Sequence, residues 1–346
     1  MSEKEVLISS QNGVGHIVLN RPKALNALSH QMVLDMLEAM KVWQGDPGIH
    51  ALLIEGAGDR AFCAGGDIQA VYENGRTDHD AVMQFWRDEY ELNALIENYT
   101  KPYVAMMHGF IMGGGVGVSA HGSHRIVTDN SIISMPETGI GFLPDVGGTY
   151  LLSRAPGGLG YFYGLTGGRM TADDAIYCGF ADYYVPEDKF NALKEAILAG
   201  GDVDELIKAH AATPPEGDAR WHHTQIADWF ADKSFDDAMA AIEADESEFA
   251  QKALKVLKRQ CPLSVKSTFH AINEAKQMDS IEPCLGQEFR FADASLYDVN
   301  FYEGIRAAII EKDRNPQWVP ATLDQVSDQM VSAMFKPLGE KELSLK

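Results

Sequence analysis

At 346 residues, with 45% hydrophobic and 23% charged side chains, the chain has material for one large globular domain or two and ample apolar residues for a core. There are 29 basic against 50 acidic side chains, a formal charge of −21, which argues against nucleic-acid partners because nonspecific binding needs a basic face. An anionic small ligand stays open, held by local main-chain donors and a few lysines or arginines. The amino-terminal Met-Ser-Glu-Lys-Glu has neither an arginine-rich amphipathic stretch nor an apolar core segment. No later run reaches membrane-spanning length, so the expectation is a cytoplasmic protein with no membrane partner. Cys63, Cys178, Cys261 and Cys284 are scattered without a Cys-x-x-Cys pair, so neither a zinc site nor a disulfide framework is indicated.

Val6 to Ser10 and Gly15 to Leu19, either side of a turn-forming Asn12-Gly13, predict a β-hairpin. Asn20 to Leu28 leads into a helix capped by Ser29, with Met32, Val33, Met36, Leu37 and Met40 on one face. Ala51 to Glu55 reads as a buried strand running into a glycine-rich loop, Gly56 to Asp67, placed between that strand and a helix. Asp80 to Tyr99 is a long amphipathic helix whose charged cluster Arg87-Asp88-Glu89 reads most simply as a solvated face. Tyr103 to Met107 is a second buried strand, and beyond it stands the triplet Gly113-Gly114-Gly115, where the lack of a Cβ lets backbone approach a ligand. Val116 to Ala120 is read as a short helix whose free N–H groups point back over the glycines, donors suited to a negative oxygen.

Strands follow near Arg125 to Thr128 and Ser131 to Ser134, and Thr171-Ala-Asp-Asp174 matches a capping box that opens a helix ending near Gly179. Past Pro186 strand-like runs disappear. Thr213-Pro-Pro-Glu-Gly217 is a break, and helical periodicity covers 219–231, 235–260, 263–276, 282–296, 302–312 and 323–335. Repetition of strand, glycine loop and helix is α/β organisation. It defines a core over 1–195 and an all-helical remainder over 196–346.

Between Ser131 and Leu152 the only ionisable side chains besides tyrosine are Glu137 and Asp145, set among Ile, Met, Pro, Phe and Gly. Carboxylates are almost never fully buried unless paired or employed, so an acidic pair in an apolar, glycine-rich loop is a functional-site candidate. The plainer reading, that each caps a turn, suits one isolated aspartate better than two acids beside a glycine triplet.

Other motifs carry less. Gly115-Val-Gly-Val-Ser-Ala120 satisfies G-x-G-x-x-A, but residues 108–112 separate the glycines from the strand, against a dinucleotide site. Ser119 fails the nucleophile-elbow pattern for want of the last glycine. His121 and His124 could share a helix face, yet a zinc site needs a further ligand, and satisfied histidines are commoner. Cys63 has no neighbour to lower its pKa, which leaves a packed thiol as the default.

Ala61-Phe-Cys-Ala-Gly-Gly-Asp-Ile68, Ile111-Met-Gly-Gly-Gly-Val-Gly117 and Met135-Pro-Glu-Thr-Gly-Ile-Gly141 resemble the successive signatures of the crotonase (enoyl-CoA hydratase/isomerase) superfamily. The resemblance implies an α/β crotonase-like spiral of ββα units with a helical C-terminal region, and an acyl-CoA substrate. It also implies that two backbone N–H groups, those of Gly66 and Gly114, hold the thioester oxygen. Such preset donors stabilise charge as it develops, and loss of one costs roughly 3 to 4 kcal/mol. Alanine is expected to be tolerated at either glycine where φ is negative, a bulky side chain not. The adenine nucleotide is expected along Asn20 to Leu28 with Lys23 near a phosphate. No metal or redox cofactor is implied, coenzyme A being part of the substrate.

Family hydratases carry one catalytic glutamate three residues beyond the triplet's oxyanion-hole glycine and another at the Pro-Glu position; this chain has Gly117 and Glu137 there. Hydration by paired glutamates is therefore disfavoured. Glu137 with Asp145 in Phe-Leu-Pro-Asp-Val-Gly-Gly, Arg87-Asp-Glu-Tyr-Glu-Leu-Asn93, and Phe301-Tyr-Glu-Gly-Ile-Arg-Ala-Ala-Ile-Ile-Glu-Lys-Asp-Arg-Asn-Pro-Gln-Trp318 resemble the family branch that hydrolyses short β-hydroxyacyl-CoA thioesters, as in valine breakdown. On that resemblance Glu137 attacks the thioester or serves as general base on water, and Asp145 with Glu89 orients the substrate's β-hydroxyl. Asp88 precedes Glu89 where members often show a Glu-Glu pair. The alternatives are hydratase or isomerase action and a catalytically silent acyl-CoA-binding protein. Family members often form homo-oligomers through their carboxyl-terminal helices, and the added helical material here is able to block that contact.

Overall fold

The computed structural model describes residues 4–345; Met1 to Glu3, part of the amino-terminal stretch read above for targeting, and Lys346 lie outside it. The chain forms two compact units interleaved along the sequence, 1–67, 88–134 and 169–218 in the first, and 68–87, 135–168 and 219–346 in the second. The sequence reading instead divides the chain once, at residue 195.

The first unit holds every strand found among the described residues. β1 (Val6–Gln11) and β2 (Val14–Leu19) form the expected antiparallel hairpin, with Asn12 and Gly13 at φ 49° and 79° in its turn. Beside β2 run β3 (Ala51–Gly56), β5 (Tyr103–Met107), β7 (His124–Val127) and β9 (Tyr183–Tyr184), all parallel, in the order β1-β2-β3-β5-β7-β9. Ala51 to Ile54 and all of β5 are buried, as continuous apolar runs covered on both faces should be. One face packs Val14, Leu53, Val104, Met106 and Ile126 against Leu193, Ile197 and Ile207 from the helices Glu187–Leu198 and Val203–His210.

A second sheet was hidden in the sequence. β4 (Ala61–Cys63), β6 (Phe110–Met112) and β8 (Ile132–Ser134) pair in parallel in the order β4-β6-β8, with Ile111 level with Ile133 and Met112 with Ser134. Each turn of the chain thus gives one strand to the large sheet and the next to the small one, the ββα repeat expected of the spiral. β4 lies inside a stretch that sequence alone reads as an uninterrupted glycine loop. The exits of the three short strands are Ala64-Gly65-Gly66, Gly113-Gly114 and Met135-Pro136-Glu137. Parallel sheets gather ligand-binding loops at the carboxyl ends of their strands.

The second unit is helical. The helix Pro262–Ala275 packs on Gly148–Arg154 and Leu159–Thr166. Trp86 stacks on Phe142 with centroids 5.5 Å apart, and Phe142 meets Phe301 at 5.3 Å and Phe291 at 5.6 Å. The helix expected over 235–260 is two, Phe235–Ala244 and Glu248–Leu257. Between them Asp245 accepts hydrogen bonds from Gln225, Trp229 and the Ser247 N–H, and Ser247 caps the second helix. The element at 302–312 starts earlier, at Val299 behind the Asp298 cap, and widens into a π turn over Arg306–Ile310. The stretch 323–335 is a short turn at Leu323–Gln325 followed by a helix over Asp328–Ala333. No helix among the described residues is long and apolar enough to cross a membrane.

Candidate active site

Gly66, Gly114, Glu89 and Lys23 belong to the first unit, Glu137 and Asp145 to the second. In the first, the loop after β4 is held by backbone hydrogen bonds to the segment before the Ser29 cap: Ala64 N–H donates to Leu25 O at 3.0 Å, Leu28 N–H to Gly65 O at 2.9 Å, and Asp67 N–H to Leu28 O at 2.9 Å. In that parallel bridge the N–H of the intervening Gly66 points away from Leu28, because successive groups of an extended chain alternate sides. Leu25 and Asn26 adopt left-handed φ of 51° and 57°, and the buried Asn26 side chain holds the bend by donating to Ala57 O at 3.0 Å and Ala61 O at 2.9 Å. Gly65, at φ +115°, is the position in this loop that demands glycine.

Gly114 opens the short helix Gly114–Gly117, which begins inside the triplet and not at Val116 as the sequence reading has it. Its N–H therefore lies in the first turn, where no intrahelical acceptor exists. A Cβ placed on Gly114 would stand 3.1 Å from Gly66 N and 2.6 Å from Glu89 Oε1. The two glycine loops and the Glu89 carboxylate thus converge on one spot. Against the expected tolerance of alanine, a methyl group at Gly114 would require the Glu89 carboxylate to shift and would press on Gly66 N. Nor is Arg87-Asp88-Glu89 a solvated face: Glu89 is 2% exposed and Asp88 pairs with His30 at 2.6 Å.

In the second unit Glu137 heads a 3-10 turn, Glu137–Ile140, directly after Pro136. Gly141, at φ 76°, closes the turn by donating to Glu137 O, and Cys261 N–H donates to Thr138 O at 2.9 Å. A Cβ on Gly141 would lie 2.3 Å from Asn300 O, so the helix that starts at Val299 fits tightly against the turn. Glu137 is 6% exposed, and its Oε2 has no hydrogen-bond partner among the described residues. Its pKa is raised well above the ordinary value, first by burial and then by the charges of Asp145 and Glu288. A buried carboxyl beside other acids holds a proton more tightly than a free one, which suits it to take a proton from a reacting group.

Asp145 is also 6% exposed and opens a tight turn in which Gly148 N–H donates to Asp145 O at 2.6 Å. Val146 follows at φ 54° and Gly147 at φ 77°. A β-branched residue in the left-handed region is a true outlier, a strain of order 1–3 kcal/mol that persists only where the surroundings enforce it. Glu288, which sequence reasoning missed, lies on the far side of that turn. The signal was present: it shares a helical face with Ile281, Cys284, Ala292 and Ser295, all buried, and a carboxylate on an apolar stripe calls for a partner.

The remaining candidates do not converge. Lys23 sits exposed on the 3-10 turn Pro22–Ala24. His121 and His124 share no helix face: His124 starts β7 and meets Asp204 at 3.1 Å, and His121 lies 3.5 Å from Glu97. No group of three or more potential metal ligands occurs among the described residues. All four cysteines are buried, and burial pushes the Cys63, Cys261 and Cys284 thiols up to about 12, 11 and 12.

Residues 14–335 match the family model for enoyl-CoA hydratase/isomerase. A curated relative, the mitochondrial 3-hydroxyisobutyryl-CoA hydrolase of Gallus gallus, is 37% identical over 99% of this chain and 92% of its own. Two solved structures superpose over 99% of the chain. One, described as a carnitinyl-CoA dehydratase from Mycobacterium thermoresistibile, is 44% identical with a TM-score of 0.95 and 99% of its own length covered. The other, described as an enoyl-CoA hydratase from Rhodobacter sphaeroides 2.4.1, is 41% identical with a TM-score of 0.93 and 100% of its length covered.

Proposed function

Because the chain belongs to the enoyl-CoA hydratase/isomerase family, we propose that it hydrolyses short β-hydroxyacyl-CoA thioesters, 3-hydroxyisobutyryl-CoA foremost, to the free hydroxy acid and coenzyme A. One observation carries the reading. Glu137 and Asp145 are buried acids, with Asp145 close enough for its charge to raise the Glu137 pKa, whereas the position where hydratases hold their other glutamate is Gly117, buried at the end of the short helix that begins inside the triplet. Adding water across a double bond lacks its second acid here. Splitting a thioester needs only one, with donors for the oxygen.

In this reading the N–H groups of Gly66 and Gly114 stabilise the negative charge on the thioester oxygen. A Glu137 carboxylate oxygen attacks the carbonyl carbon, the C–S bond breaks, and coenzyme A leaves as the thiolate, which takes a proton from solvent. Water then cleaves the resulting anhydride, restoring Glu137 and releasing the acid. The same residues suit a single step in which Glu137 removes a proton from the attacking water. Asp145 and Glu89 accept the β-hydroxyl of the substrate, which penalises acyl groups that lack one by leaving a buried carboxylate unmatched. Lys23 meets a phosphate of the nucleotide. The reaction uses no metal or redox cofactor, since coenzyme A arrives with the acyl group.

A screen of short acyl-CoAs by free-thiol release tests the proposal. Turnover of 3-hydroxyisobutyryl-CoA, well above that of isobutyryl-CoA, is the expected result. Enoyl-CoA hydration, the activity named in the description of the Rhodobacter sphaeroides structure, is the second reading; loss of enoyl absorbance without cleavage of the hydroxyacyl thioester would establish it and sink the first. Asp145→Asn should lower kcat/KM on the hydroxyacyl thioester by about 10- to 100-fold with a far smaller change on isobutyryl-CoA, as expected of a group that reads a hydroxyl. A role in valine breakdown and a cytoplasmic site are further proposals, the second to be checked by fractionation because the curated relative is named as mitochondrial. Homo-oligomer formation is a matter for light scattering.

A further inference from the structure

We infer that Glu288 is a positioning residue for the acyl end of the substrate: its carboxylate clamps the strained turn that carries Asp145 and so fixes the group that reads the β-hydroxyl. The inference rests on the role given to Asp145 above. Glu288 is 0% exposed, and both of its oxygens accept hydrogen bonds from that turn. Gly147 N–H donates to Oε2 at 2.8 Å, and Thr149 donates to Oε1 from its N–H at 2.9 Å and from its hydroxyl at 2.5 Å. Gln287 donates to Thr149 Oγ1 at 3.2 Å and to Ala271 O at 3.0 Å, which leaves the threonine hydroxyl aimed at Glu288.

Within the turn, one backbone hydrogen bond, from Gly148 N–H to Asp145 O, closes the loop. Val146 and Gly147 are successive left-handed residues, and the helix Gly148–Arg154 that follows has Gly147 as its cap, with no side chain of its own to receive the first N–H groups. A simple cap would be a serine or aspartate in the turn itself. Burying a carboxylate on another helix is costly unless it is hydrogen-bonded, and the three donors of Gly147 and Thr149 are what offset that cost.

Burial, followed by the charge of Asp145, pushes the Glu288 carboxyl up to about 8, while the Thr149 and Gly147 donors pull it down. The clamp survives either ionisation state. A proton on Oε1 can be shared with Thr149 Oγ1 while both oxygens keep a lone pair for the two N–H groups. An amide cannot do this, because its NH2 has no lone pair to offer and one leg must break. Glu288→Gln is therefore a nearly isosteric substitution that releases one side of the turn.

Glu288→Gln, Asp145→Asn and the double variant are assayed on 3-hydroxyisobutyryl-CoA and isobutyryl-CoA. Expected for Glu288→Gln, at a pH above the rise set by Glu137, is a loss of about tenfold or more in kcat/KM on the hydroxyacyl thioester, with a far smaller change on isobutyryl-CoA and little further loss in the double variant relative to Asp145→Asn, because the residue acts through Asp145. Equal losses on both substrates, or full additivity with Asp145→Asn, would overturn the inference in favour of an ordinary helix cap. If the unaltered protein cleaves neither thioester, the functional reading fails on its own, and the clamp is judged by amide hydrogen exchange. Gly147 and Thr149 should then exchange about 100-fold faster in Glu288→Gln while the helix Pro262–Ala275 keeps its rates; unchanged exchange at both overturns it. Should that variant not fold, Thr149→Ala, which removes the hydroxyl leg alone, is read by the same two measurements.

Discussion

Glu137→Gln should abolish thioester cleavage, with kcat lower by about 10³-fold or more, while the folded protein is at least as stable as its parent. The amide keeps the shape of the side chain but can neither attack a carbonyl nor take a proton from water. The stability half follows from the sign of the pKa shift. A carboxyl whose folded pKa lies above its ordinary value of 4.5 holds its proton more tightly in the folded chain. Its contribution to stability is fully present below that ordinary value and is lost as pH climbs toward the raised one. Glutamine removes the loss, so the variant should melt higher than its parent at pH 8 and gain less at pH 4. The parent's activity should rise with pH through the elevated pKa of Glu137, and Asp145→Asn, by removing a neighbouring negative charge, should move that rise to lower pH. A single turnover in isotopically labelled water separates the two roles of Glu137: label within its carboxylate marks the anhydride route, and its absence marks direct attack by water. A Glu137→Gln variant that still cleaved the thioester at near-parental rate would remove Glu137 from the chemistry altogether.

Gly114→Ala should lower kcat by about 10²- to 10³-fold with a smaller effect on KM, the signature of an interaction made chiefly in the transition state. The substitution keeps the Gly114 N–H, so its effect is steric. The new methyl carbon would stand 2.6 Å from Glu89 Oε1 and 3.1 Å from Gly66 N, against both the other glycine loop and the buried carboxylate. Glu89 must swing aside or the loops must part, and either change spoils donors whose value lies in being fixed beforehand. An alanine protein with parental kcat would mean that these N–H groups do not receive the oxygen.

The motifs were easier to read than the scaffold that holds them. Val6–Gln11 with Val14–Leu19, and Tyr103–Met107, announced themselves by alternation or by an unbroken apolar run. Of the small sheet only Ile132–Ser134 was foreseen, within the strand read near Ser131 to Ser134. Ala61–Cys63 and Phe110–Met112 are too short for any periodicity to register, and they exist because they pair with each other and, through Phe110–Met112, with Ile132–Ser134. Glu137 and Asp145 stood out as the only acids in an apolar stretch, and Gly114 as the middle of a triplet. Glu89 was camouflaged by its charged neighbours Arg87 and Asp88, which local sequence reads as solvent-facing. Glu288 was hidden differently, since its partners Gly147 and Thr149 lie 141 and 139 residues away and no local pattern connects them.

The sequestered cysteines have a practical corollary. Aromatic disulfide reagents, the usual colorimetric reporters of coenzyme A release, react with the thiolate form of sulfur that solvent can reach. Cys63, Cys178, Cys261 and Cys284 are all enclosed, and three of them have their ionisation displaced to about 11 or 12. The native protein should therefore stay almost colourless with the reagent at pH 8, and the absorbance that grows during turnover is to be counted as product, not as modification of the catalyst.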